Sequence, residues 1–283
     1  MKIQLATRIA VFGGVLLSLF SCGSSGHSRI EEEEVTSQLA QYRYRPHILV
    51  QEGIKLTEVL DYPPFDDVSL SLLAENVRFR PGKNRLEFII GKFFLGEHTA
   101  EERELGTQVN EGGQYLLLFD PKSGKRQKYY SADIEQELAA GDNFIGAFLV
   151  RSNHISLKGD SAMQLYKVST DQKEGEGNRL VERSKAVFFD VLSPSPDQVY
   201  LGKQKVLIDF LTNVSDWNRH NIELNIDGEV FLLENGNPYV MEGMEYGKHK
   251  ISARLLDSNK ELVKSELSTS KHFSFEVTEE SGF

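Results

Sequence analysis

The densest set of polar, chemically capable side chains in this sequence is Arg151-Ser152-Asn153-His154. A guanidinium, a hydroxyl and an imidazole this close together form a polar binding group when carried on a loop. His154 is also the natural starting point for a metal-binding or enzymatic site, and a hydrogen-bonded structural His is the plain alternative. Trp217, between Asp216 and Asn218, falls between two strand-like runs. On an exposed loop it would stack on a sugar ring or pack on a partner; at a core edge it would only fill space. His98 beside Glu97, Glu101 and Glu102 offers either a carboxylate cluster or a solvated acidic loop. Asp66-Asp67 and Asp190 offer oxygen ligands for calcium, or ordinary turn carboxylates.

Signals for catalysis are missing. The single cysteine, Cys22, is not accompanied by a base, and no Gly-x-Ser-x-Gly elbow occurs. No Gly-x-x-x-x-Gly-Lys-Ser/Thr loop is present, and Gly112-Gly113 precedes a strand-like run, not a helix N-terminus that would hold phosphate. The seven histidines are scattered without zinc spacing. The expectation is a protein that is not an enzyme, with no cofactor and no metal, and with Arg151, Ser152, His154 and Trp217 as candidate binding residues.

Cys22 has chemistry of a different kind. Lys2 and Arg8 precede an apolar run from Ile9 to Phe20, about a dozen residues. That is the length of a signal-peptide core and short of the roughly 20 residues that span a bilayer. The run ends in Leu19-Phe20-Ser21-Cys22-Gly23, which resembles the lipobox of bacterial lipoproteins, with Phe20 where a smaller residue is usual. The resemblance implies cleavage before Cys22 and a diacylglyceryl thioether on its sulfur. Two or three acyl chains, at ~0.8 kcal/mol per buried CH₂, would hold the protein on a membrane. The expected location is the outer membrane, facing the periplasm or the cell surface. An envelope protein or a glycan is the expected partner.

Removing residues 1–21 takes away two cations and no acid, leaving 30 Lys and Arg against 42 Asp and Glu, a net −12. With that charge and no basic stripe, nucleic acid is excluded as a partner. Residues 22–53 read as a tether, small and polar at first and then acidic through Glu31–Glu34, with Tyr42-Arg43-Tyr44-Arg45 near its end.

From about Ile54, short runs rich in Val, Ile, Leu, Phe and Tyr alternate with turn clusters, which predicts an all-β chain. The clearest hairpin is Asn225-Ile226-Asp227-Gly228-Glu229-Val230, since Asp-Gly accepts the positive φ angles of a tight primed turn. An internal repeat sets the organisation. Asp67-Val68-Ser69-Leu70 and the run from Phe79 to Phe88 parallel Asp190-Val191-Leu192-Ser193 and the run from Tyr200 to Ile208. Gly141 to Leu149 parallels Gly247 to Leu255. Two units of roughly 100 residues with a strand every ~10 residues predict two tandem immunoglobulin-like β-sandwiches. They are expected at 54–169 and 186–283, with a hydrophilic linker at 170–185.

These residues resemble a family of poorly characterised two-domain bacterial lipoproteins, best represented in Bacteroidetes and in some members labelled phosphopeptide-binding. The matching features are Asp209-Phe210, Ile226-Asp227-Gly228, Pro238-Tyr239, Glu242-Gly243, Gly247 with His249, and Leu255-Leu256-Asp257. In the first unit, Arg151-Ser152-Asn153-His154 is similar to a family Arg-Ser-x-His segment. The family's His-x-His after a glycine is absent here, where Gly113 is followed by Gln114-Tyr115-Leu116-Leu117. The resemblance implies the fold and the anchor, and leaves the activity open.

Overall fold

A computed structural model describes residues 46–60, 67–74, 78–100, 102–170, 181–202, 204–268 and 270–279. The lipidation call at Cys22, the signal peptide and most of the tether lie outside the described residues. So do Asp66, Glu101 and residues 171–180 of the expected linker.

The chain forms β1 (Ile48–Gln51), β2 (Ile54–Glu58), β3 (Ser69–Leu73), β4 (Gly82–Gly91), β5 (Tyr115–Phe119), β6 (Arg126–Tyr129), β7 (Asp133–Leu138), β8 (Asp142–Val150), β9 (Met163–Ser169) and β10 (Val181–Arg183). It continues with β11 (Phe188–Ser193), β12 (Val199–Leu201), β13 (Val206–Thr212), β14 (His220–Ile226), β15 (Glu229–Leu233), β16 (Tyr239–Glu242), β17 (Gly247–Asp257), β18 (Leu267–Ser268) and β19 (Lys271–Thr278). The architecture is all-β and multi-sheet, as the alternating texture predicts. The described residues include no helix long and apolar enough to cross a membrane.

Four sheets form, ordered β3-β4-β7, β10-β9-β8-β5-β6, β1-β2-β16-β13-β11-β18 and β12-β19-β17-β14-β15. The first two enclose one core, including Leu86, Phe88, Leu116, Leu118, Leu149 and Tyr166. The last two enclose another, including Leu56, Phe210, Leu224, Phe231, Tyr239 and Ile251. The internal repeat falls on corresponding strands. The order β3-β4-β7 matches β11-β13-β16, and β9-β8-β5-β6 matches β19-β17-β14-β15. The Asp-Gly hairpin closes as expected, Ile226 pairing with Glu229 around Asp227 and Gly228, both at positive φ.

Two boundaries differ from expectation. The sequence reading places residues 54–58 in the first unit, but β2 pairs antiparallel with β16 of the second sheet pair. Ile54 and Leu56 are buried in the second core, and β1 adds a further strand outside β2. The expected tether therefore ends in a strand. Gly243, at φ 86, makes this docking possible, because a Cβ there would overlap the Gly53 carbonyl. Glu242 beside it binds Lys55 at 3.2 Å and Lys205 at 2.9 Å. Likewise the expected linker contains β10, whose Val181–Arg183 pairs with β9.

The two sheet pairs are joined face to face within one compact unit, Pro46–Phe283. In β5 every residue is buried. Leu116 and Leu118 point into the first core, while Tyr115, Leu117 and Phe119 point outward into a third cluster. That cluster also takes in Phe148 from the first pair and Phe188, Leu211 and Leu267 from the second. Phe188 meets Phe148 edge-on at 5.6 Å and Phe119 at 6.3 Å. The result is four stacked layers whose two middle sheets meet face to face, so that β5 is buried on both sides, as a continuous apolar strand requires.

Candidate functional site

The Arg151-Ser152-Asn153-His154 segment forms the turn that ends β8. The Arg151 amide donates to the Ile155 carbonyl at 2.8 Å and the His154 amide to the Arg151 carbonyl at 3.0 Å. His154 adopts φ 66, a left-handed conformation uncommon for a non-glycine residue. This tight turn sends its side chains in three directions.

Ser152 is fully buried and pins residues 97–110. The Thr99 amide donates to its Oγ at 2.9 Å, the Ser152 amide to Thr99 Oγ1 at 3.2 Å, and the Asn110 amide to its carbonyl at 2.6 Å. Its hydroxyl donates to the Glu102 carboxylate, which His98 Nδ1 also contacts at 3.0 Å. Burial acts to raise the Glu102 pKa, but the bonds from Ser152 and His98 outweigh it and the net shift is downward. Among the described residues, His98 therefore pairs with Glu102 and holds the loop.

Arg151 and Asn153 line a cleft of about 460 Å³ at the seam between the sheet pairs. Its floor is the outer face of β2 and β16, where Lys55, Thr57, Val240 and Glu242 lie beyond the region that the first pair covers. Lys205 and then Lys55 hold the Glu242 carboxyl below its ordinary pKa. Thr57 Oγ1 is buried without a partner among the described residues. A buried orphan hydroxyl is uncommon in folded proteins and marks a place for a bound group or water. Glu58, on the opposite face of β2, is satisfied by the His47 amide at 2.9 Å, Asn235 at 2.9 Å and Asn237 at 2.6 Å.

His154 points the other way, into a second seam cleft of about 380 Å³. Its Nδ1 lies 3.1 Å from the Tyr115 hydroxyl, and the two rings meet edge-on at 6.1 Å. Burial, and then the nearby Lys128 ammonium, depress its pKa to about 4, so the ring is neutral at physiological pH. Tyr115 is the fully buried first residue of β5. Gly113, just before it, is at φ 79 and packs so closely that a Cβ would overlap the Gly96 carbonyl.

Trp217 lies far along the chain in the second sheet pair. It is half-buried against the second core, and its ring covers Gly236 so closely that a Cβ there would overlap it. It is a core-edge residue and lines neither seam cleft. Asp67 pairs with Lys92 at 2.6 Å. Asp190 pairs with Arg126 at 3.0 Å and Lys271 at 3.5 Å, so the two acids are not brought together. Among the described residues no group of three or more His, Cys, Asp or Glu is arranged to hold a metal ion.

Several residues that organise the seam were not singled out from the sequence as doing so. Asp209 is fully buried, and its carboxylate accepts from Lys158 Nζ at 2.6 Å and the Ser156 amide at 2.7 Å. Arg126 crosses from β6 to donate to the Leu192 carbonyl of β11 at 3.2 Å. The one available signal is an acid or a cation in an otherwise apolar run, as in Val206-Leu207-Ile208-Asp209-Phe210. Asp227 and His249 of the family-like motif also meet, at 2.6 Å. The other imidazole nitrogen lies 2.8 Å from the Glu245 carbonyl, so both ring nitrogens are engaged in holding the hairpin.

No protein-family model and no curated protein matches the chain. Fibronectin(III)-like modules of CbhA from Clostridium thermocellum resemble it at 20% identity and a TM-score of 0.27, over 33% of this chain and 99% of theirs. The extracellular domain of a protein described as a hybrid two-component system from B. thetaiotaomicron resembles it at 10% identity and a TM-score of 0.24. That likeness covers 82% of this chain but 44% of the other, so the chain spans less than half that domain's length. At such scores neither likeness bears on function.

Proposed function

We propose that this chain is a lipid-anchored protein of the bacterial envelope that binds a partner without catalysing a reaction. In this reading Cys22 carries the lipid, and the body consists of two immunoglobulin-like sandwiches fused through their middle sheets. The repeated strand order supports the immunoglobulin-like assignment. The partner is an envelope protein or a glycan, and it docks at the seam.

The observation that carries the reading is the cleft beneath Arg151 and Asn153. Its floor and wall come from different sheet pairs, which are locked together by a buried apolar cluster, so the cleft is preformed. It mixes aliphatic surface with Lys55, Glu104 and Glu242, and it contains the unpartnered Thr57 hydroxyl. Nearby groups of catalytic type are occupied elsewhere: Ser152 and Glu102 tie down a loop, and His154 is neutral against Tyr115.

Two measurements test it. Mass spectrometry of the native protein is expected to find diacylglycerol on Cys22, and Cys22→Ala is expected to leave the membrane fraction. Pull-downs from envelope extracts and glycan arrays are expected to return a partner for the wild type and for Trp217→Ala, and to lose it for Lys55→Glu. Blank results for all three proteins would overturn the binding role, and a bare sulfur would overturn the anchor.

A further inference from the structure

The second seam cleft has a composition unlike that of the chain as a whole. The sequence has 42 acids against 32 Lys and Arg, yet the described lining of this cleft contains Arg126 and Lys128 and no acid. Arg126 is committed to Asp190 and to the carbonyls of β11. Lys128 is not committed to a carboxylate. Its side chain is exposed, and its ammonium lies 4.8 Å above the Tyr115 ring.

Tyr130 follows directly on β6, two residues beyond Lys128; it does not itself line the cleft, but it adjoins the cleft through Tyr115, which does. It is 46% exposed, but its ring is held at three points. One side rests on Gly112, where a Cβ would lie within 2.9 Å of the ring atom Cε1. An edge meets Tyr115 at 6.3 Å. The hydroxyl exchanges hydrogen bonds with Asn110 at 3.0 and 3.2 Å. A solvent-facing aromatic ring normally keeps rotamer freedom. One fixed in advance offers amphipathic contact area at little entropic cost.

We propose that an acidic sugar binds across Tyr130 and the adjoining cleft, with the Tyr130 ring stacked under the pyranose and the Lys128 ammonium on its carboxylate. One free ammonium matches one carboxylate per sugar unit, and a net charge of −10 disfavours polyanions of higher density. A charge-assisted hydrogen bond fixes orientation while the ring supplies area. The proposal rests on the reading of the chain as a binding protein, but it uses neither the lipid anchor nor the cleft under Arg151.

The test is calorimetric titration of the purified full-length protein with oligomers of galacturonate, glucuronate and mannuronate. Their methyl esters remove the charge, and inorganic phosphate supplies charge without a ring. At least one acid oligomer is expected to bind, its ester about tenfold more weakly, and the binding to weaken as salt rises. Lys128→Gln is expected to bring acid and ester to the same affinity. Tyr130→Ala is expected to weaken both about tenfold, and Tyr130→Phe, which keeps the ring but loses its tie to Asn110, to weaken both less, with thermal melting confirming that each variant is folded. Silence from every oligomer, an ester that binds as well as its acid, phosphate that binds as tightly, or a Lys128→Gln protein indistinguishable from wild type would each overturn the site. The envelope pull-down with Lys55→Glu judges the broader binding reading separately.

Discussion

His154 occupies a position that its neighbours keep uncharged. An unfolded chain would return its pKa to about 6.5, whereas burial and Lys128 hold it near about 4 in the fold. Above pH 6.5 the ring is neutral in both states and exchanges no proton on unfolding. Between about 6.5 and 4 the unfolded chain binds a proton that the folded chain refuses, so stability falls as the pH falls. Below the folded pKa the ring is charged in both states and this contribution to the slope ends. His154→Asn tolerates the left-handed backbone and removes the titration. The difference in urea midpoint between wild type and variant is expected to drift steadily through that window, and the imidazole signals to titrate near pH 4 by NMR. A ring that titrates near 6.5 would contradict the geometry. At this scale the sequence disclosed the turn, because four polar residues interrupt apolar runs. It did not disclose that Arg151 and His154 face different clefts, since a reversal of side-chain direction is set by one φ angle.

The strand least visible in the sequence is β2. Ile54-Lys55-Leu56-Thr57-Glu58 alternates like any half-buried strand, and proximity along the chain assigns it to the first unit. Its partner β16 lies more than 180 residues away. Pairing at that separation is encoded at the partner: in Gly243, which leaves space for the Gly53 carbonyl, and in Glu242, which bridges Lys55 and Lys205. The Glu-Gly motif looks like an ordinary turn until the hairpin is seated on it. The internal repeat was legible because its strands recur in the same order, whereas β1, β2 and β18 have no counterpart in the first pair, and β12 takes the edge that β10 takes there but comes from another point in the chain and runs parallel to its neighbour. Two substitutions separate local from distant effects. Leu56→Ala removes a fully buried side chain from the second core and is expected to cost about 2–5 kcal/mol. Gly243→Ala is expected to release the hairpin, exposing the amides of β2 to hydrogen exchange while β4 and β8 keep their protection. Faster exchange across the first pair instead would mean that the hairpin belongs there.

Across the whole molecule the seam decides how the layers behave. A chain of tethered modules would melt in independent steps, but here Phe188 inserts between Phe119 and Phe148, and the cluster around it is as buried as either core. One cooperative calorimetric transition is expected for the described body, and Phe188→Ala, at a cost of about 3–5 kcal/mol, is expected to split it into two. The ion pair at the rim behaves asymmetrically. The Asp209 side chain has no exposed surface, whereas that of Lys158 is 28% exposed. Without Asp209, the long Lys158 side chain can turn its ammonium toward water. Without Lys158, the Asp209 carboxylate stays buried with only the Ser156 and Phe210 amides donating to it. Removing one member of a buried pair is costly because the remaining charge is left in low dielectric. Lys158→Ala is therefore expected to destabilise the protein more than Asp209→Asn, measured as the fall in urea midpoint of each variant. Equal losses would show that water reaches this carboxylate and that the seam is looser than its packing implies.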